Sequence, residues 1–143
     1  MQELSQIFDQ EMRRARLRIT RNRREIFYIL KNSNRPLSIK EIIKTSKGDS
    51  SFTSVYRSVD SLTHAGILRL VPRGFKNLYE LGEAFRPHHH HATCEKCGES
   101  VAVHDADLEK MMHHLTISTG LKPTGHQFEL FGVCRRCRDS KDL

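Results

Sequence analysis

The sequence predicts an α+β chain in two parts: a winged helix-turn-helix over residues 1–82 and an α/β domain over residues 88–143, joined by a hinge at 83–87. Three observations predict it. Helical periodicity with capping signals fills the first half and ends in two short β-type runs. Charge is divided, with 17 Lys and Arg against 9 Asp and Glu in residues 1–87, and 7 against 8 in residues 88–143. Two Cys-x-x-Cys pairs then bracket most of the second half.

The elements follow in order. Residues 3–17 and 22–31 read as helices, the second with Ile26, Phe27, Ile29 and Leu30 in an apolar stripe beside Arg23, Arg24 and Lys31. Pro36 breaks the chain, and Ser38-Ile39-Lys40-Glu41 matches a capping box that starts a short helix carrying Ile39, Ile42 and Ile43. Gly48-Asp49-Ser50-Ser51 reads as a turn, with Ser51 as cap of the next helix. That helix spaces Phe52, Val55, Val59 and Leu62 for burial and leaves Thr53, Ser54, Arg57, Ser58 and Ser61 on its other positions. Gly66 stops it. Two β-type runs then flank a Gly74 turn with Arg73 and Lys76 at the tip.

This order, ending in a slim helix of hydroxyl residues and a basic hairpin, is a winged helix-turn-helix suited to a DNA groove. Tyr56 and Arg57 diverge by roughly 100° on the helix and reach base edges and phosphates together. The DNA-contacting set expected is Arg23, Thr53, Ser54, Tyr56, Arg57, Arg73 and Lys76. The competing description is an ordinary α+β domain with a polar helix face, its charge a solvated basic face that keeps the protein soluble.

In the second half, Cys94-x-x-Cys97 and Cys134-x-x-Cys137 are knuckle pairs whose four thiolates complete a tetrahedron around one zinc ion. No run approaches the roughly 18–20 apolar residues of a membrane span, and the N-terminus Met1-Gln2-Glu3-Leu4 lacks a signal-peptide pattern. The expectation is a cytosolic protein whose cysteines bind metal and form no disulfides. Lys96, Arg135, Arg136 and Arg138 flank the sulfurs and offset their charge. Four histidines precede the first pair. In a strand they alternate, so His88 and His90 share one face, and His89 and His91 the other. Glu109, in the first turns of a helix from Asp105 to Gly120, is a candidate oxygen ligand. His126, at the start of an alternating run to Gly132, is another candidate. Three imidazoles and a carboxylate suit Zn2+, Fe2+, Ni2+ or Mn2+. His113 and His114 are expected on the helix surface, His64 at the end of the reading helix, and Met111, Met112 and Leu115 in core packing. Two other classes stay open: a zinc hydrolase using Glu109 as base, which lacks a His-Glu-x-x-His motif, and a zinc-stapled module that binds protein or nucleic acid without sensing metal.

The residues resemble the ferric uptake regulator superfamily. The match lies in Thr53-Ser54-Val55-Tyr56-Arg57 followed by Ala65-Gly66-Ile67, in the histidines before Cys94-Glu95-Lys96-Cys97-Gly98, and in Gly132-Val133-Cys134-Arg135-Arg136-Cys137. The resemblance implies a homodimer joined through the C-terminal domains and metal-dependent binding to palindromic operator DNA, usually repressing metal-uptake genes. It implies structural zinc at Cys94, Cys97, Cys134 and Cys137. It implies a regulatory metal at His88, His90, Glu109 and His126, with Zn2+ or Fe2+ as the ion and Mn2+ also suited. His90 stands where many iron-type members have Asp, so the set is closer to zinc-sensing members. Glu80, His89 and His91 correspond to part of an interdomain sensing site, whose metal would favour one placement of the winged domains over others. The pattern departs at Arg35-Pro36-Leu37, where the family often has a His, and at Ala102, where it often has a carboxylate. Peroxide sensing, which in the family uses those two ligands, is not implied.

Overall fold

A computed structural model describes residues 2–46, 51–73, 75–122 and 126–139. The turn expected at 48–50 and Gly74 of the hairpin lie outside the described residues. The chain forms two units, Met1–Pro87 and His88–Leu143.

The first unit carries α1 (Gln2–Arg14), α2 (Arg21–Lys31), β1 (Leu37–Ser38), α3 (Ile39–Thr45), α4 (Phe52–His64), β2 (Leu68–Arg73) and β3 (Lys76–Leu81). The strands form an antiparallel sheet in the order β1-β3-β2, with Arg69 opposite Glu80 and Arg73 opposite Lys76. One core gathers Phe8 and Met12 of α1, Ile26, Phe27 and Leu30 of α2, Ile42 of α3, and Val55, Val59 and Leu62 of α4, beside Leu68 and Leu81. Phe27 is its centre, with ring centroids 4.6 Å from Phe8 and 5.2 Å from Phe85.

Local chemistry sets the boundaries. The capping box at Ser38 is formed: Glu41 N–H donates to Ser38 Oγ at 3.3 Å, and Ser38 N–H donates to Glu41 Oε2 at 2.8 Å. Helix α1 ends at Arg14, short of the expected residue 17, because Arg16 turns left-handed (φ 55°) and Leu17 N–H closes onto Met12 O at 2.8 Å. Gly66 (φ 71°) performs the same reversal after α4. Gly82 is required for a different reason, since a Cβ there would collide with the Gly66 carbonyl.

Two expectations are corrected here. Phe52 lies on the outer face of α4 and not in the core, because the buried stripe runs through Val55, Ser58, Val59 and Leu62. Ser58, expected outside, is buried and accepts from Asn22 Nδ2 at 3.0 Å. The segment 83–87, expected as a hinge, leads to the boundary between the units at Pro87 and makes contacts within the first unit. Phe85 is in the core, and the Arg86 guanidinium donates to the carbonyls of Leu30, Lys31 and Ser33 at the end of α2.

The second unit carries β4 (His90–Cys94), β5 (Ser100–Val103), α5 (Ala106–Thr119), β6 (Glu129–Gly132) and α6 (Arg135–Asp139). Its sheet order is β5-β4-β6, with β5 antiparallel and β6 parallel to β4. Asp105 caps α5 by accepting from Asp107 N–H and Leu108 N–H at 2.8 and 3.0 Å, and these bonds hold its carboxyl below the usual range. Gly120 ends α5 in the left-handed region. The alternating run from His126 forms strand only from Glu129. Met111 and Leu115, expected in core packing, are exposed, and no residue of α5 is buried. The apolar residues Val101, Leu130, Phe131 and Val133 are exposed too. Among described residues of this unit, those buried are His89, His90, His91, Thr93 and Cys94, all on β4 or next to it.

Candidate metal centres and DNA-reading face

Strand β4 is the spine of both ligand clusters of the second unit. Its end delivers Cys94, a tight turn brings Cys97, and the parallel partner β6 leads into Cys134 and α6 with Cys137. The four Sγ atoms lie within 4.8 Å of one another, and Cys97 Sγ is 3.8 Å from Cys134 Sγ. A tetrahedron with Zn–S bonds of about 2.3 Å has edges of about 3.8 Å, so the donor set fits the ion. Cys134 N–H donates to Cys94 Sγ at 3.3 Å. That bond and the Cys97 N–H bring the Cys94 thiol down to about 6. Cys137, hydrogen-bonded to the Cys134 and Cys97 side chains, is pushed up to about 12. Converging thiols therefore resist shared ionisation without a cation among them. Of the flanking cations, Arg136 sits by Cys97 and also pairs with Glu99 at 3.1 Å. Arg135 and Arg138 lie by Asp139 instead.

Alternation along β4 divides the histidines. His88 and His90 have ring centroids 4.9 Å apart on one face, and His89 and His91 are 4.8 Å apart on the other. On the first face α5 supplies Glu109, and the segment before β6 supplies His126. His90 Nε2 is 2.7 Å from Glu109 Oε1, His88 Nε2 is 3.3 Å from the same oxygen, and His126 Nε2 is 3.0 Å from His88 Nε2 and 3.3 Å from Glu109. A tetrahedral ion with bonds of about 2.0–2.1 Å requires edges of about 3.3–3.4 Å, which these four atoms meet with small outward movement. The His90 hydrogen bond, followed by the nearby His126, holds the Glu109 carboxyl below its ordinary range.

Glu80, expected in a second site, is buried on β3 and gripped by Arg69 of β2. His89 and His91 are buried on the second face of β4. The other histidines lie as expected: His113 and His114 on the surface of α5, and His64 at the exposed end of α4.

On the first unit, Thr53, Ser54, Tyr56 and Arg57 are all exposed on α4, and Lys76 is exposed beyond the hairpin turn. Phe52 stacks on Tyr56 with centroids 6.5 Å apart, so the reading face is more aromatic than expected. Their i, i+4 spacing carried that signal. Arg73 is half-buried. Arg23 turns inward, donating to Arg18 O at 2.8 Å and Ser61 Oγ at 3.0 Å, where it braces α2 against α4.

A winged helix with an exposed reading helix, in one chain with a zinc-type thiolate cluster and a histidine-carboxylate cluster, defines a metal-responsive DNA-binding transcriptional regulator. The model of the ferric uptake regulator family matches residues 14–131, and the chain belongs to that family. It is 29% identical over 140 residues to the ferric uptake regulation protein of Campylobacter jejuni, covering 94% of this chain and 88% of that one. It is 28% identical over 124 residues to the peroxide operon regulator of Bacillus subtilis, covering 85% and 84%. Among solved structures, the Vibrio cholerae ferric uptake regulator superposes with a TM-score of 0.74 at 26% identity, covering 88% of this chain and 98% of that chain. The Helicobacter pylori regulator, described with three functional metal binding sites, superposes at 0.79 with 24% identity over 97% and 96%.

Proposed function

We propose that the protein is a metal-dependent repressor that binds palindromic operator DNA as a homodimer and controls metal-uptake genes. It performs no catalysis. The observation that carries this reading is the convergence of His88, His90, Glu109 and His126 in a chain whose other unit is a winged helix. In this reading Cys94, Cys97, Cys134 and Cys137 hold a structural Zn2+, and the His88 cluster holds the regulatory ion. Three nitrogens and one carboxylate favour Zn2+ over Fe2+ and Mn2+. On the family resemblance, Glu80, His89 and His91 belong to a second sensing site. Arg57, Tyr56, Thr53, Ser54, Arg73 and Lys76 contact DNA, with Arg23 holding the reading helix in place.

The homodimer accounts for the apolar surface of the second unit: Met111, Leu115, Val101, Leu130 and Phe131 are the kind of exposed patch that a second copy covers. The described residues contain no helix long and apolar enough to cross a membrane, and the proposed site of action is the cytoplasm.

The test begins with selection of a duplex from a random pool by the zinc-loaded protein. Fluorescence anisotropy of that duplex is then measured while Zn2+, Fe2+ and Mn2+ are added separately without oxygen. The expected result is DNA binding that requires added metal, with E109Q needing at least about tenfold more metal than the unsubstituted protein. Equal DNA binding with and without metal overturns the reading.

A further inference from the structure

The second face of β4 carries more than two histidines. In the β4–β5 ladder His90 lies opposite Val103 and His91 opposite Ala102. Directly opposed residues of an antiparallel pair project to the same side. One step further along the register, His89 meets His104, and their ring centroids are 5.8 Å apart. His89, His91 and His104 therefore share one face, with the Ala102 methyl opposite His91 and the Ser100 hydroxyl 3.4 Å from His91 Nδ1.

The opposite face supplies a scale for these spacings. There the rings of His88, His90 and His126 stand 4.6, 4.9 and 5.3 Å apart around Glu109. Two imidazoles on one tetrahedral ion, with metal–nitrogen bonds of about 2.1 Å, have ring centres roughly 5 Å apart. The His89–His91 spacing of 4.8 Å meets that value, and the His89–His104 spacing lies within a small rotation of an exposed side chain from it.

We propose that His104 is a metal ligand and completes, with His89 and His91, a three-imidazole site on the second face of β4. The proposal rests on the reading of His89 and His91 as sensing ligands and deepens it. Its chemistry is specific. Position 102 is a methyl, so β4 and β5 bring only neutral imidazoles to a site to which the family resemblance also gives the Glu80 carboxylate, and three nitrogens with one carboxylate suit Zn2+, Co2+ and Ni2+ better than the oxygen-preferring Mn2+. His104 thereby sets which ion the second site accepts.

The test uses the full chain, purified with zinc in its cysteine site. Zn2+ and, separately, Mn2+ are titrated against a chromophoric chelator for the unsubstituted protein and the variants H104A, H104D, H89A and E109Q. Circular dichroism melting confirms an intact fold, which the exposure of His104 favours. Two classes of added zinc are expected. H104A weakens one at least tenfold and leaves the other, E109Q does the reverse, and H104D narrows the preference for Zn2+ over Mn2+. If H104A binds both classes like the unsubstituted protein while H89A loses one, the ion is held without His104 and the proposal fails, but the sensing pair stands. If H89A is also silent, the sensing pair itself is refuted, and the proposal with it.

Discussion

Arg69 and Glu80 stand directly opposite each other on β2 and β3, and the Arg69 guanidinium holds one Glu80 carboxylate oxygen through both Nε and a terminal nitrogen. Glu80 is 2% exposed, so its charge is carried into the first unit with its own cation. A hydrogen bond between charged groups contributes about 2 kcal/mol in such a setting. Arg69→Met is expected to lower the thermal midpoint of the first unit by several degrees. Arg69→Lys, which keeps the charge and loses the fork, should recover part of the loss. Melting followed by circular dichroism decides it; a midpoint unchanged in Arg69→Met would mean the pair adds nothing to the wing.

Among the described residues, the second unit gathers no apolar core of its own. Apart from Cys94, every buried apolar side chain of the described residues belongs to the first unit. Four thiolates on one zinc ion supply on the order of 10 kcal/mol toward folding in small domains. Cys94→Ser is therefore expected to unfold the second unit and abolish dimerisation, while the first unit keeps its helical signal. Zinc analysis, analytical ultracentrifugation and far-ultraviolet dichroism together read the outcome. A folded, zinc-free dimer of Cys94→Ser would show that the cysteines are dispensable for the fold.

Much of this arrangement is legible in the sequence because it rests on local rules. The capping box at Ser38, the stop at Gly66, the cap at Asp105 and the end at Gly120 depend on a few neighbouring atoms. The separation of His88 and His90 from His89 and His91 needs only strand alternation. Features set by tertiary packing are not legible in the same way. Phe52 has core spacing with Val55 and Val59, but the stripe buried against α2 includes Ser58, whose hydroxyl finds Asn22. Arg23 looks like a free cation until Ser61 and the Arg18 carbonyl are placed beside it. Nor is the contact of Arg86 with the carbonyl end of α2 legible, since it joins residues more than fifty positions apart. Met111 and Leu115 have the pattern of core residues, yet both are exposed among the described residues.

Acid titration offers a test of the capping box. Burial alone would raise the Glu41 carboxyl. The Arg35 guanidinium and the Ser38 hydroxyl and N–H outweigh it and bring the value from 4.5 to about 2. A carboxyl depressed in the folded state stabilises the fold above its unfolded value, and that contribution is lost as the pH falls through the folded value. The Glu41 side chain is 37% exposed, so solvent screening reduces the contribution to about 1 kcal/mol. Glu41→Gln is therefore expected to be less stable than the unsubstituted protein at pH 7. The gap should shrink between pH 4.5 and pH 2. Denaturant midpoints measured across that range give the answer, and a gap that stays constant would assign the effect to something other than ionisation.

Arg23 and Arg57 separate bracing from reading. The Arg57 side chain is exposed on α4 and makes no hydrogen bond or ion pair among the described residues, whereas Arg23 ties α2 to α4 through Ser61. Arg57→Ala should leave the melting temperature within about a degree, since exposed substitutions usually change stability by less than 0.5 kcal/mol. It should weaken binding to the selected duplex by about 1–3 kcal/mol. The salt dependence locates its contact: a phosphate partner lowers the slope of log affinity against log salt by about one, and a base partner relaxes the selected sequence at one position with little change in slope. Arg23→Ala should instead lower the melting temperature and leave the salt slope unchanged. If Arg23→Ala changed the salt slope and left stability untouched, Arg23 would be a DNA contact after all, and its bond to Ser61 would be a resting position of the unbound protein.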